Sequence, residues 1–267
     1  VVLACWAERE GLGSYGKSAV ARVIADLRPP KRPPRPRPKR YELAAPMVMW
    51  SEDGAAFRDR GKKRELLVVQ DERARYKVNN RLTRGAAGSD DVVDYLREAF
   101  DTHGPPLILK QDNGSALNSD GVRELCDRYG VVLLNSPAAY PQYNGKKERS
   151  FRDVRSFVRA MVLQYKGVSL DVCIDEAIRD LNELRPRPVL GGCTAAEAFE
   201  HWKRPLPYRW RFKLQVETRT IEIAADAGSR DEINAARRRA VVEVLSQHNL
   251  LVDSTDASTY STAQNRT

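Results

Sequence analysis

Three acidic residues stand where chemistry could use them. Asp112 directly follows the apolar strand candidate Leu107–Lys110, in Asp112-Asn113-Gly114-Ser115. A charged carboxylate at the exit of an apolar strand is poorly solvated unless it meets a cation, and hard divalent cations favour oxygen ligands. Asp53 closes Trp50-Ser51-Glu52-Asp53, and Glu148 follows Pro141-Gln142-Tyr143-Asn144-Gly145 near the start of a long helical pattern. Taken singly, Asp112 reads first as a turn, because Asp-Asn-Gly is ordinary turn sequence. A different chemistry is offered by Gly11–Ser18 (GLGSYGKS), which satisfies the phosphate-loop pattern GxxxxGK[ST]. A working phosphate loop follows a central strand and opens a sizeable helix. Here AERE precedes the loop and the helix after it stops in a proline tract, so the bland reading, a glycine turn before a helix, is preferred.

The elements that must position the three acids follow from periodicity. Pro46–Ala56, Arg64–Gln70 and Arg75–Arg84 read as three antiparallel strands. A helix begins at Ser89 and ends at Gly104-Pro105-Pro106. Then come a buried strand at Leu107–Lys110, a helix at Gly121–Tyr129 and a second buried strand at Val131–Leu134. Helices are expected at about 145–165, 170–184 and 195–202. Trp210, Phe212, Leu214 and Val216 alternate like a strand within a stretch charged enough for an exposed helix, so both readings stay open. Ser229 and Glu232 form a capping box ahead of a C-terminal helix. The order predicts an α/β domain with a mixed sheet and late helices.

The chain has 267 residues, of which 45 are Lys or Arg and 36 Asp or Glu, for a net charge of +9. With 42% hydrophobic residues it has enough apolar content for a substantial core. No apolar run approaches the roughly 18–20 residues of a membrane span, which predicts a soluble, cytoplasmic protein without a membrane partner. Four scattered cysteines and three isolated histidines support neither a disulfide framework nor a zinc finger. The segment Arg28–Arg40 holds seven basic residues, six prolines and no acid. Proline fixes φ and removes a donor, so this is an extended linker, compatible with a basic strap on a phosphate backbone through Arg35, Arg37, Lys39 and Arg40. Residues 1–42 carry a net +6 and residues 146–166 a net +5, leaving −2 for everything else.

The acids lie in segments that together resemble the catalytic core shared by retroviral integrases and bacterial DDE transposases. Trp50-x-x-Asp53, Asp112-Asn113-Gly114-Ser115, and Ser136-Pro137 through Tyr140-Pro141-Gln142-x-Asn144-Gly145-x-x-Glu148-Arg149 fall in that family's order, with 35 residues between Asp112 and Glu148. Asn182-x-x-Arg185-Pro186 and Leu190-Gly191-Gly192-x-Thr194-Ala195-x-Glu197-Ala198-Phe199 look like its C-terminal signature. Gly54, Leu117 and Arg187 depart from common family residues without removing an acid. Asp71 matches a frequent family acid but sits at a strand turn, where a structural role is expected. The resemblance spans about Tyr41 to Arg204. It implies an RNase H-like fold, a five-stranded mixed sheet flanked by helices. The corresponding division of the chain is a partial helix-turn-helix-like segment at 1–27, the linker at 28–41, the core at 42–204, a partly helical C-terminal extension at 205–252 and a disordered tail at 253–267.

The same resemblance implies that Asp53, Asp112 and Glu148 are both catalytic and metal-binding, holding two Mg²⁺ ions for which Mn²⁺ can substitute. Two-metal sites activate the attacking oxygen and stabilise the leaving one in an in-line displacement at phosphorus. The expected reactions are DNA strand cleavage and strand transfer during transposition or integration. The expected partners are transposon-end and target DNA, with a homo-oligomer assembled on DNA in a bacterial, nucleoid-associated setting. Along the long helix Phe151, Val154, Val158, Met161, Val162 and Tyr165 are expected to be buried, while Arg152, Arg155 and Arg159 share a flank with Glu148. Lys146, Lys147, Arg149, Arg152, Arg155 and Arg159 are therefore expected to meet phosphates, and Gln142, Tyr143 and Asn144 to touch the DNA end. Two rivals stand beside this: a catalytically silent DNA-binding descendant, and a phosphate-loop ATPase using Gly11–Ser18 with Leu66–Asp71 as its metal-binding strand.

Overall fold

A computed structural model describes residues 18–19, 41–112, 114–136, 145–165 and 167–253; the side chains of residues 41, 145–150 and 253 fall outside that description. Residues 1–39 and 40–267 form two separate units. In the first, only Ser18 and Ala19 are described, both helical and exposed. The glycine loop at Gly11–Lys17, the basic linker with Arg35, Arg37, Lys39 and Arg40, the loop residues Gln142, Tyr143 and Asn144, and the tail 254–267 lie outside the described residues.

Among the described residues the second unit has the strands β1 (Tyr41–Leu43), β2 (Met49–Asp59), β3 (Lys62–Asp71), β4 (Lys77–Leu82), β5 (Ile108–Gln111), β6 (Val132–Asn135) and β7 (Leu251–Asp253). Five of them make one mixed sheet in the order β4-β3-β2-β5-β6. β2, β3 and β4 are antiparallel, while β5 and β6 run parallel to β2. The β2–β3 connection is only Arg60-Gly61, with φ of 48° and 83°. Two consecutive positive φ values are what a two-residue hairpin with right-twisted strands demands, and glycine meets the second without strain. Leu66–Asp71 therefore lies in an antiparallel hairpin, a setting unlike the parallel sheet an ATPase metal-binding strand requires.

The α-helices among the described residues that accompany the sheet are α1 (Ser89–His103), α2 (Asp120–Tyr129), α3 (Gly145–Gln164), α4 (Leu170–Arg179), α5 (Ala195–His201), α6 (Arg209–Ile223) and α7 (Arg230–Gln247). The predicted capping box is present at α7, where Ser229 Oγ accepts from Glu232 N and the Glu232 carboxylate accepts from Ser229 N. Thr194 and Glu197 make the same reciprocal pair at α5. The ambiguous stretch after Pro207 is helix α6. Phe212, Val216 and Thr220 are its buried residues, a period of four, while Trp210 and Leu214, the other half of the apparent alternation, are exposed. Burial on one helical stripe overrides the alternating pattern. α4 stops at Arg179 and the chain continues as a wide π turn over Asp180–Leu184. Asp253, expected to begin the tail, instead ends β7, which pairs antiparallel with β1 through Tyr41↔Asp253.

Side chains alternate across each strand, so the sheet has two distinct faces. On the first, Trp50, Leu67, Val69 and Leu109 pack with Tyr95, Leu96, Phe100, Val122, Leu125 and Phe199 of α1, α2 and α5 in one continuous core. The second face is covered in two pieces. Ala55, Phe57, Leu66 and Val68 meet α3 and α4, while Ile108, Val132 and Leu134 meet Phe212, Val216, Val241 and Val244 of α6 and α7. The C-terminal helices thus complete the sheet's cover.

Candidate active site

The register places two of the three acids together. β2 and β5 pair in parallel through Trp50↔Leu109 and Ser51↔Lys110. Continued two residues further, this register brings Asp53 and Asp112, the latter one residue past the end of β5, to one level and one face, with neighbouring strand axes about 4.8 Å apart. β5 ends at Gln111, whereas β2 continues to Asp59 paired only with β3. The sheet therefore opens at the two aspartates, the kind of crevice at strand carboxyl ends that binds ligands in open α/β sheets. Both residues are partly exposed. Asp53 Oδ1 accepts from Gly54 N at 2.9 Å, and Asp112 Oδ1 from Gly114 N at 2.8 Å. An ionised carboxylate has about four lone-pair sites, so a backbone bond of this kind helps to orient the group.

The face carrying Asp53 continues through Ala55 and Phe57, the residues against which α3 packs with Phe151, Val154 and Val158. The Arg155 guanidinium lies over the Phe57 ring at 5.6 Å. The side chain of Glu148, like those of Lys146, Lys147 and Arg149, lies outside the described residues. Arg152, Arg155 and Arg159 are exposed, as the sequence predicted. Val162 and Tyr165 are each 51% exposed rather than buried, because the packed part of α3 ends near Met161.

Beneath the aspartates the second face carries a polar row that sequence reading missed. Lys77, Gln70, Ser51 and Lys110 stand side by side on β4, β3, β2 and β5, all buried. Lys110 Nζ pairs with Glu72 at 3.3 Å, Glu72 also meets Arg75 at 3.8 Å, and Arg75 meets Glu42 at 3.4 Å. The available signal was a lysine inside an otherwise apolar strand. Among the described residues Lys77 has no such pairing, and burial, with Arg187 next, pushes its amine down to about 7. Its backbone is clasped by Asn182 of the π turn, whose Oδ1 accepts from Lys77 N and whose Nδ2 donates to Lys77 O. Asn182 therefore acts as a substitute strand at the free edge of β4. Asp71 is structural, accepting from the backbone N–H groups of Met47, Arg73 and Ala74, and burial raises its carboxyl to about 6.

The donor chemistry suits Mg²⁺: hard oxygen ligands, adjacent, at an open sheet edge. Among the described residues no three His, Cys, Asp or Glu side chains gather as a metal cluster. Also among them, no helix is long and apolar enough to cross a membrane.

No family model matches the chain. Over 84 residues it is 36% identical to the uncharacterized protein K02A2.6 of Caenorhabditis elegans, a match covering 32% of this chain and 6% of that protein. It is 28% identical over 113 residues to the intracisternal A-particle Pol-related polyprotein of mouse intracisternal A-particle MIA14, covering 42% of this chain and 13% of that protein. The matches thus span only a small part of those two relatives. Among solved structures, the HTLV-2 integrase catalytic core domain in complex with magnesium (trimeric form) superposes with a TM-score of 0.53 at 21% identity, over 60% of this chain and 100% of that one. The simian T-cell lymphotropic virus intasome in complex with PP2A regulatory subunit B56 gamma gives a TM-score of 0.59 at 16% identity, over 76% of this chain and 72% of that one. The sheet order, the helices on both faces and these likenesses give the chain the RNase H-like fold seen in retroviral integrase catalytic core domains.

Proposed function

We propose that the protein is a transposase or integrase that cleaves DNA and transfers the cut strand to a second DNA. The observation that supports this reading is the parallel pairing of β2 and β5 through Ser51↔Lys110, two residues before Asp53 and Asp112 in the chain. Asp53, Asp112 and Glu148 would hold Mg²⁺, which supplies activation of the attacking oxygen and stabilisation of the leaving one. The magnesium in the HTLV-2 structures supports this choice of ion.

The chain's own residues divide the remaining work. Gly54 N and Gly114 N each donate a hydrogen bond that helps orient one of the two aspartates. The Lys110–Glu72–Arg75–Glu42 chain, buried at Lys110 and Glu72, balances charge beneath them. Exposed Arg152, Arg155 and Arg159 offer phosphate contacts beside the site, where Arg fits the phosphate geometry well. The reading needs no covalent protein intermediate, because the nucleophile is first water and then the freed 3′-OH. Dimeric and trimeric forms of the HTLV-2 core support assembly as a homo-oligomer on DNA.

The test is a Mg²⁺- or Mn²⁺-dependent strand-transfer assay on wild type, Asp112→Asn and Lys17→Ala. Asp112→Asn is expected to reduce turnover by at least about 10²–10³-fold, as losing a group that stabilises transition-state charge does. Activity surviving that substitution overturns the proposal. Loss of activity with Lys17→Ala together with ATP dependence would instead support the nucleotide-binding reading.

A further inference from the structure

A cleft of about 360 Å³ lies at the other end of the sheet from β4, between the edge strand β6 and the helices α2, α6 and α7. Its charged lining comprises Arg123, Lys213, Arg230 and Arg237 against Asp127 and Glu217. The two acids are engaged by Lys213, and Arg123 pairs with Asp120. Among the described residues, neither Arg230, Arg237 nor their neighbour Arg238 has a carboxylate partner. Arg230, Asn234, Arg237 and Arg238 share one side of α7 by their spacing. Arg237 and Arg238 reach over the edge strand and donate to Leu133 O and Asn135 O, both at 3.4 Å. Bonds that long are weak, and guanidinium groups with five donors each retain capacity for an anion.

The position of the cleft gives it meaning. It opens at Asn135, the last residue of β6, which pairs with Gln111, the residue before Asp112. Asn135 Oδ1 also accepts from Gln111 Nε2. α3 approaches the aspartates from the β2–β3 side, so the cleft flanks them from the opposite, β6, side. Its lining has arginine and asparagine but no aromatic ring. Single strands are gripped by stacking bases on aromatic side chains, whereas a duplex is held through its phosphates without reading sequence.

We infer that this cleft seats the phosphate backbone of a second duplex, the DNA that receives the transferred strand, through Arg230, Arg237 and Arg238. This rests on the strand-transfer reading above. The overall charge conceals it, since residues outside the linker and α3 sum to −2.

The experiment measures binding of a random-sequence duplex of about 30 bp to the full chain by fluorescence anisotropy across a salt series, without divalent metal. Each phosphate contact contributes about 0.9 to the salt slope, so Arg230→Gln with Arg237→Gln lowers the slope by about 2 and weakens binding at fixed salt. Arg230 is exposed and forms no bond to the described fold, so Arg230→Gln alone keeps the test decisive if the double variant unfolds; it lowers the slope by about 1. Unchanged affinity and slope in a folded variant overturn the inference. So does poly-glutamate binding that the variants abolish while duplex binding is untouched, which would assign the cleft to an acidic protein. Asp112→Asn is measured in parallel and keeps wild-type duplex binding while losing strand transfer. If it stays active, the catalytic reading falls, while the cleft is judged by the slopes alone.

Discussion

The two faces of the sheet solve different problems. The face under α1, α2 and α5 is one apolar core, with Trp50, Tyr95, Phe100 and Leu109 all fully buried. The face under α3, α4, α6 and α7 is two apolar clusters parted by a polar row running from Lys77 to Lys110. Close packing on the first side leaves no room for chemistry. The gap on the second side lets Asp53 and Asp112 remain partly exposed on an otherwise covered sheet. The division costs stability, since charges buried at the seam must be paired or titrate.

The comparison is broken most forcefully from the apolar side. Trp50→Ala removes the largest of the fully buried side chains and is expected to cost about 3–5 kcal/mol in denaturant unfolding. A loss under about 1 kcal/mol would mean that this face is not the stabilising one. On the polar side, Glu72→Leu removes a buried carboxylate from Lys110 and from Arg75, which keeps Glu42, and is expected to cost a similar or slightly smaller amount, about 3 kcal/mol. Adding Lys110→Met should recover much of it, a non-additivity readable in a double-mutant cycle.

Lys77→Met sharpens the comparison in the opposite direction. The amine is held below its ordinary 10.5 at about 7, so the fold favours the neutral form. Its contribution is present above the usual lysine pKa and is lost as pH falls through about 7. The substitution should therefore stabilise the protein by about 1–3 kcal/mol at pH 6 and by little at pH 10, followed as thermal unfolding at both values. A pH-independent effect would show that the gain is only packing. The smallest effect belongs to neither face: Ser229→Ala removes the cap of α7 and is expected to cost about 1 kcal/mol.

Much of the architecture was legible because its signals are local. The apolar run before Asp112, the glycine after α1 and the Ser229–Glu232 box each mark an element through its own neighbours. α6 was not, because its alternation and its period of four share Phe212 and Val216, and only burial separates them. The end of α4 was missed for a related reason: the π turn exists to bring Asn182 to the edge of β4, a partner more than a hundred positions away in sequence. At the site, the exposure of Arg152, Arg155 and Arg159 followed from helical spacing, whereas the Lys110–Glu72 pair needed the register of three strands.

By itself the sequence determined which residues could do chemistry, carboxylates at a strand exit and in family-like spacing, and where helices and strands begin. Only the tertiary structure decided that Asp53 and Asp112 share one level and one face, that the seam beneath them is ionic, and that arginines of α7 line the edge of β6. The physical reason is that side-chain period is written in each strand, whereas register is a property of pairing, and a slip of one residue would turn either aspartate to the opposite face.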